Sequence, residues 1–325
     1  MKSLHILKSL RTKNGLFSAA ACSDTGYNRA WIRDNIYEAI GLEHIDVNDA
    51  LKTYWALLDV MLKHEKKITW AIHEKPDARF KYIHARYDTE TLDEIWEEWG
   101  NKQNDAVGAL LFKIGDLLDK EVKVLRDIND HRIVQKLILY LESIEYWQDE
   151  DNGVWEENEE VHASSVGACV AGLKKLEKYF HVPHGLIEKG QKTLDKLLPR
   201  ESSTKEVDLA LLSLIYPFNV VSELQKNQIL ANIEKLLVRN KGVIRYAGDQ
   251  YYNKGGEAEW CFGFPWLAII YKGVDSSKHN YYLQKTREIM NDKHEIPELY
   301  YANSNEYNEN CPLGWAQALH LVAEK

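Results

Sequence analysis

The sequence lacks the features that mark several large classes of protein. Only four of its 325 residues are cysteine, and none of them forms a CxxC pair. We therefore expect no disulfide framework and a reducing, cytoplasmic setting. No run of apolar residues approaches the roughly 18 that a membrane-spanning helix needs. Lys8 and Arg11 also interrupt the N-terminal apolar stretch before it reaches signal-peptide length. We accordingly expect no membrane partner.

Sequence motifs of the common catalytic classes are missing as well. The chain contains no HExxH, GxSxG, Walker A or GxGxxG motif, which disfavours zinc hydrolases, serine hydrolases and nucleotide-binding enzymes. Its histidine pairs stand without the cysteine or carboxylate partners of a metal site, so we expect no metal and no cofactor. The net charge is −9 and the basic residues form no patch, which argues against a nucleic-acid partner.

The aromatic residues are unevenly distributed among types, with 10 Trp and 18 Tyr against 7 Phe. Trp and Tyr present a flat apolar face together with a polar edge, which suits stacking on sugar rings. A large helical core also uses many aromatic residues. Composition alone favours neither interpretation.

Helical periodicity dominates the chain, and strand-like alternation is scarce. Ser222 and Gln225 form the pattern of a capping box at one helix start, and the best strand candidate is 242–246. The longest irregular stretch, 66–101, is rich in Tyr, Trp and carboxylates and has the length of a functional lid. No linker divides the chain, so we predict one all-α domain over 1–325. Apolar spacing predicts twelve helices: 2–12, 33–43, 47–64, 103–119, 127–148, 162–180, 184–198, 205–216, 222–238, 262–273, 276–292 and 312–323.

Segments rich in Trp, Arg, Asn and carboxylates stand just before every second predicted helix. In a ring of alternating outer and inner helices, every second helix starts at the same end. The loops that enter these helices would then converge on one cavity. The segment 206–208 fits the alternation but lacks an aromatic residue. The others are 31–34, 101–105, 153–157, 257–260, and 297–300 together with 312–315.

Carboxylates beside tryptophans are the remaining candidates for chemistry. Hydrolysis of a glycoside needs one carboxyl that is protonated and one that is ionised. Glu156 follows Trp155 directly, and an indole that excludes water raises the pKa of a neighbouring carboxyl. The alternative is an ordinary solvated acidic loop, because acidic runs are common at helix N-termini.

Five segments stand out along the chain in this order: Tyr27 to Asp34, Gln103 to Asp105 with Gly108, Gly153 to Glu157, Gly242 to Tyr246, and Pro297 to Tyr300 with Leu313 to Trp315. Together they resemble glycoside hydrolase family 15, which includes glucoamylases and glucodextranases. Its glucoamylase-like domain also occurs in the large subunits of phosphorylase kinase. The resemblance covers about residues 27–320 and implies an (α/α)6 barrel, in agreement with the twelve predicted helices.

The resemblance also implies residue roles. Glu156 matches the general acid and Glu298 the general base. Arg33, Asp34, Glu157 and Arg245 match groups that bind sugar hydroxyls, and Trp31, Trp155 and Trp315 match the aromatic walls of the pocket. Helix capping is the alternative for Glu298 and Asp34, and core packing for the tryptophans. Tyr246 is a further substrate-binding candidate. The remaining candidates, for which capping is also an alternative, are Asn104, Asp105, Glu259, Trp260 and Tyr300.

These roles predict an inverting, exo-acting α-glucosidase. It would release glucose from the non-reducing end of short malto- or isomalto-oligosaccharides. We expect Asp34 to stay ionised because the adjacent Arg33 lowers its pKa. The first alternative is a non-catalytic glycan-binding regulator. The second is a related toroid enzyme that acts on trehalose or uronic acids, although an anionic substrate would call for more basic residues than Arg33 and Arg245.

Overall fold

The computed structural model describes residues 2–97 and 99–325. Within these ranges, four two-residue strands form two antiparallel pairs: β1 (Ala30–Trp31) with β2 (Arg86–Tyr87), and β3 (Glu259–Trp260) with β4 (Leu299–Tyr300). The same ranges contain thirteen α-helices: α1 Lys2–Ser9, α2 Ile32–Glu43, α3 Val47–Lys63, α4 Glu65–His73, α5 Asn104–Asp119, α6 Ile128–Ser143, α7 Ala163–Leu176, α8 Leu186–Leu197, α9 Leu212–Ile215, α10 Glu223–Leu236, α11 Gly263–Tyr271, α12 Ser276–Glu288 and α13 Gly314–Glu324.

The helices form a closed double ring. In the described part of the chain, α2, α5, α7, α9, α11 and α13 contact one another in that order, and α13 returns to α2. The remaining helices pack outside this ring, with α4 beside α6 as an addition to the six outer positions. All nine residues of α11 are buried, whereas α8 and α10 bury one face only. The predicted (α/α)6 barrel and the alternation of outer and inner helices are confirmed.

Small residues allow the inner helices α5 and α7 to approach closely. A Cβ atom on Gly108 would lie 2.5 Å from the backbone carbonyl carbon of Ala168 and 2.5 Å from the amide nitrogen of Cys169. Gly172 is equally confined, because its Cβ would lie 2.7 Å from the carbonyl oxygen of Gly108. Backbone atoms cannot rotate away as a side chain can, so this contact tolerates only glycine.

Replacing Gly108 by alanine is expected to destabilise the protein. The overlap with the α7 backbone outweighs the gain in helix propensity, which is about 1 kcal/mol. A net loss of about 2 kcal/mol is expected, within the range of overpacked cores. Thermal unfolding followed by circular dichroism measures it, with Lys192→Ala on the exposed face of α8 as the control. A Gly108→Ala variant that melts with the control would contradict this close packing.

Two predicted elements differ from the structure because local contacts decide them. The irregular stretch predicted over 66–101 is wrong at its start, where α4 buries Ile68 and Ala71 on one face. The helix predicted over 205–216 is much shorter. Asp208 is extended, and its carboxylate accepts the Ala210 amide at 2.7 Å, so a single 3₁₀ turn precedes α9.

Further differences concern element ends. Helix α6 stops at Ser143 instead of continuing to 148, because Glu145 adopts a left-handed conformation with φ 57° and reverses the chain. The segment 242–246 is not a strand; only Val243 bridges, to Val238 and Trp260. The capping box of Ser222 and Gln225 is confirmed. Among the described residues, no helix has both the length and the apolar character required to cross a membrane.

Candidate active site

A cavity opens at the end of the barrel where the inner helices begin. Nine predicted site residues line the cavity: Trp31, Arg33, Asp34, Trp155, Glu156, Arg245, Trp260, Glu298 and Trp315. Residues from both ends of the chain therefore meet in one place, as the alternation of helices predicts.

Glu156 lies in the loop that enters α7 and adopts a left-handed conformation with φ 65°. This backbone conformation is costly for a residue other than glycine. Gly100 packs directly on it, since a Cβ there would lie 2.4 Å from the carbonyl oxygen of Glu156. The carboxylate accepts a hydrogen bond from Trp31 Nε1 at 2.6 Å and one from Arg33 Nη2 at 3.3 Å. The tertiary structure thus holds this carboxyl in a fixed, strained position.

The surroundings of Glu156 suit a carboxyl that keeps its proton. Burial raises its pKa to about 7, although the positive charges of Arg33 and Arg86 and the hydrogen bond from Trp31 act to lower it. The side chain is 21% exposed, so it remains accessible from the cavity. A carboxyl with this pKa is protonated in a large fraction of molecules near neutral pH and can donate a proton.

Glu298 immediately precedes β4 and is fully buried. Tyr27 donates a hydrogen bond to its Oε1 at 2.6 Å, Asn310 donates to Oε2 at 2.8 Å, and Asn308 donates a short bond to Oε2. Burial raises the pKa of Glu298, while the hydrogen bonds from these three donors act to lower it. Donors of this kind stabilise the ionised form of a carboxyl. Glu298 is therefore set up as an acceptor, in contrast to Glu156.

Two aromatic rings connect these carboxyls. The rings of Tyr27 and Trp31 lie 5.4 Å apart between centroids. Tyr27 donates to Glu298, and Trp31 donates to Glu156. The relative placement of the two carboxyls thus depends on the packing of one tyrosine against one tryptophan.

Arg33 and Asp34 occupy the first turn of α2. Arg33 donates to Gln103 at 2.8 Å, pairs with Asp105 at 3.3 Å, and lies over the Trp315 ring. Burial raises the pKa of Asp34 to about 6, and Arg33 opposes this only in part. The predicted lowering of the Asp34 pKa is therefore wrong, although the carboxyl is still mostly ionised at pH 7.

Arg245 and Glu157 form a second charged group. Arg245 donates to Asp249 through Nε at 2.7 Å and to Glu157 through Nη2 at 2.7 Å. Glu157 also accepts from Lys205 at 2.8 Å and from the Tyr246 hydroxyl at 2.6 Å. Burial acts to raise the pKa of Glu157, but these partners outweigh it and the pKa is lowered. The adjacent residues Glu156 and Glu157 therefore have opposite charge preferences, because they face different partners.

Tryptophans supply much of the wall. Trp155 donates its indole N–H to Asp208 at 2.8 Å, and Trp315 stacks on Phe262 at 4.7 Å between centroids. The indole nitrogens of Trp260 and Trp315 are buried and have no hydrogen-bond partner among the described residues. Two indole N–H donors beside the cavity thus lack a partner among the described residues.

The other predicted substrate-binding residues stand behind the cavity or face away from it. Asn104 donates to Asp149 at 2.9 Å and Asp105 accepts from Arg33, so both support the lining from α5. Tyr246 acts through Glu157, as described above. Glu259 accepts the backbone amide of Lys241 at 2.5 Å, and the Tyr300 hydroxyl donates to the carbonyl of Ile289 at 3.0 Å. We do not include Glu259 and Tyr300 in the proposed site.

Several site residues were missed by sequence reasoning. Tyr27 belongs to a quoted motif, but its contact with Glu298 spans 271 positions. Tyr251, whose hydroxyl lies 3.0 Å from that of Tyr27, and Asn308 and Asn310 carry no local signal. The remaining lining residues outside the prediction are Ala19, Val154, Phe262 and Leu313. No group of three or more His, Cys, Asp or Glu side chains suited to a metal ion occurs among the described residues.

Solved structures with a similar fold are glycosidases. One solved as "Glycosidase Wild Type" matches 99% of this chain and 94% of its own, with a TM-score of 0.83 and 17% identity. The glucoamylase from Saccharomycopsis fibuligera matches 99% of this chain and 92% of its own, with a TM-score of 0.74 and 13% identity. Identity at this level shows a shared fold.

Relatives found by sequence include the probable phosphorylase b kinase regulatory subunit alpha of Caenorhabditis elegans. It is 24% identical over 372 residues, which cover 90% of this chain and 30% of that protein. The liver isoform of the same subunit from Mus musculus is 24% identical over 378 residues, with the same coverage. The chain thus spans about 30% of the length of these curated relatives. The model of the family "Glycosyl hydrolases family 15" matches residues 1–324. The chain belongs to glycosyl hydrolases family 15.

Proposed function

We propose that this chain is an inverting, exo-acting α-glucosidase. It would release glucose from the non-reducing end of short α-gluco-oligosaccharides of the malto or isomalto type, with 1–325 acting as one catalytic domain. One observation carries the proposal: Glu156 and Glu298 line the same aromatic cavity and are held there by different hydrogen-bond partners. Paired carboxyls with divergent environments are typical of acid–base assignments in glycosidases.

In the proposed reaction, Glu156 protonates the glycosidic oxygen as the bond to the anomeric carbon breaks. Glu298 removes a proton from the water that attacks the opposite face of the sugar ring. The water oxygen becomes the new anomeric hydroxyl, so an α-glucoside yields β-glucose. The raised pKa of Glu156 supports its role as donor, and the three hydrogen bonds to Glu298 support its role as acceptor.

Recognition of a terminal glucose is assigned to the groups around these carboxyls. Asp34 accepts hydrogen bonds from sugar hydroxyls, and Arg33 and Arg245 are charged donors. The unpartnered indole N–H groups of Trp260 and Trp315 are further donors. A variant of the structurally similar glycosidase was solved in complex with glucose, which supports glucose as the ligand of this cavity.

A second candidate function is a non-catalytic, glycan-binding regulator. The names of the curated relatives favour it, since they are regulatory subunits. Both proposed carboxyls are retained in this chain, which favours the hydrolase.

The deciding experiment offers maltose, isomaltose and trehalose to the purified protein and follows glucose by proton NMR from the first minutes. Release of glucose supports a hydrolase, and binding of a glycan without release across the panel supports the regulator. Each disaccharide also releases a second glucose as the leaving group, so the anomeric outcome is measured with α-glucosyl fluoride, which yields a single glucose. With that substrate, β-glucose before mutarotation supports inversion and initial α-glucose contradicts it. Protein carrying Glu156→Gln, purified in parallel, controls for a contaminating glucosidase.

The pH dependence of hydrolysis follows from the same two carboxyls. Glu156 must be protonated, and its pKa is about 7. We therefore expect kcat/KM to fall by about tenfold per pH unit above that value. Glu298 must be ionised, and its raised pKa places the acidic limb above the ordinary range of a glutamate. A rate that stays constant up to pH 9 would contradict Glu156 as the acid.

A further inference from the structure

Arg86 is an unusual feature beside the cavity, because it is a buried cation between two indoles. Its guanidinium carbon lies 4.4 Å from the centroid of Trp99 and 5.3 Å from that of Trp31. The two indoles contact each other edge to face at 6.0 Å. Only 7% of Arg86 is exposed. Both distances lie within the range of cation–π interactions.

The placement of Arg86 follows from the short ribbon of β1 and β2. Arg86 stands directly opposite Trp31 in this antiparallel pair, so the two side chains project from the same face. The one ion pair of Arg86 within the described residues is with Glu97 at 2.9 Å, and Glu97 is 71% exposed. Solvent screens a pair of this kind. The positive charge of Arg86 is therefore only weakly compensated on its outer side.

One of the two indoles, that of Trp31, connects Arg86 to Glu156. Trp31 presents one face to the Arg86 guanidinium and donates its Nε1 hydrogen to Glu156 at 2.6 Å. We propose, on the basis of the proposed function, that Arg86 is a positioning residue for Glu156: it fixes the Trp31 indole that holds the carboxyl and places a permanent positive charge beside it. Arg86 itself does not line the cavity, so it acts through Trp31 and through its field.

Arg86 is one of several charged groups that influence the ionisation of Glu156. Among the charges around Glu156, Arg86 acts to lower the pKa of this carboxyl, so removing its charge raises the pKa further. Glu298 is positioned by its own three hydrogen-bond donors and not by Arg86. The titratable and charged groups that act on or respond to Glu156 are Arg33 and Asp34 on α2, Arg86 on β2, and the hydroxyls of Tyr27 and Tyr251.

Two substitutions separate the charge of Arg86 from its stacking. Arg86→Met keeps an aliphatic stem but removes the charge, so the basic limb of kcat/KM should move to higher pH by about half a unit. Arg86→Lys keeps the charge but loses the planar surface between the indoles. It should leave the basic limb of the kcat/KM profile at the same pH. It should lower kcat by about tenfold, because the Glu156 carboxyl is held less rigidly. Arg29→Met, which removes a nearby cation that pairs with Asp88, should change neither quantity.

A second readout does not depend on hydrolysis. In protein labelled with ¹³C at glutamate carboxyls, the Glu156 resonance is the one missing from Glu156→Gln, and its titration reports the pKa directly. If the wild type does not hydrolyse glycosides but Arg86→Met still shifts this titration, the proposed function fails and the effect of Arg86 stands. The proposal is overturned if Arg86→Met leaves both the limb and the titration unchanged. Should that variant not fold, wild-type kcat in Arg86→Lys would overturn it.

Discussion

Substitution of Glu156 by glutamine is expected to lower kcat on an unactivated disaccharide by about 10²–10⁴-fold, the usual contribution of a general acid. The amide has the same shape as the carboxyl, and its oxygen can still accept the hydrogen bond from Trp31. It carries no acidic proton, so the leaving oxygen departs unprotonated. Binding should change little, and isothermal titration calorimetry with the best disaccharide of the panel measures it.

The leaving group gives a sharper test of this assignment. Fluoride leaves without needing a proton, so α-glucosyl fluoride should remain a substrate of Glu156→Gln, with kcat within about tenfold of wild type. The matched control is Glu159→Gln, three residues along the same loop, where the carboxylate pairs with Arg79 and lies outside the cavity lining. Near-wild-type hydrolysis of the disaccharide by Glu156→Gln would remove it as the acid.

Removal of the Glu298 carboxylate is expected to have an effect of the same size or larger, on both kinds of substrate. Water must lose a proton as it attacks, whatever the leaving group is, so α-glucosyl fluoride cannot rescue the loss. Alanine is the better replacement here. An amide nitrogen at Oε2 would face the side-chain donors of Asn308 and Asn310 and destabilise the site for a second reason.

Azide tests the direction of attack in the Glu298→Ala variant. It is a nucleophile that needs no base, and the shortened side chain leaves room for it. The expected product is β-glucosyl azide, formed by attack on the face opposite the leaving group. Glu295→Gln is the control, since this carboxylate lies three residues away and bonds to Asn291. Undiminished activity of Glu298→Ala without azide would contradict the assignment of Glu298 as the general base.

Together the two variants distinguish the roles of acid and base. Loss of the acid should spare the activated substrate, and loss of the base should not. A protein that merely binds glycans shows neither pattern, because it hydrolyses nothing before or after substitution. The same measurements therefore distinguish the hydrolase from the regulator that the curated relatives suggest.

The spacing of apolar residues was enough to predict most of the helices, and the resemblance to the family implied how they assemble into a barrel. Helices such as α5 and α11 follow from apolar residues repeated at helical intervals, and this signal is local. The helix α4 was missed because its apolar face is carried by only two buried residues, Ile68 and Ala71. The short α9 was overextended because the hydrogen bond from the Ala210 amide to Asp208 shifts the helix start, and apolar spacing does not register it.

Much of the candidate site was also predictable, since its loops precede alternate helices. The direction in which each side chain points could not be predicted from the sequence. Glu259 and Tyr300 lie in the short strands β3 and β4 next to the cavity-lining residues Trp260 and Glu298, yet their polar atoms bond to the backbone outside the cavity. Tyr27 and Arg86 were not among the predicted site residues, and both contact site residues that are distant in sequence, Glu298 and Trp31 respectively.

The sequence by itself determined most of the helices and the loops that gather at one end of the ring, and its resemblance to the family nominated the two proposed catalytic carboxyls. Helical periodicity and sequence motifs are local signals, since each depends on residues close together in the chain. The tertiary structure alone decided how those carboxyls differ. Burial raises the pKa of Glu156 to about 7, whereas three donors from distant segments hold Glu298 as an acceptor. Desolvation and hydrogen bonding depend on which atoms surround a group, and only the folded chain brings those atoms together.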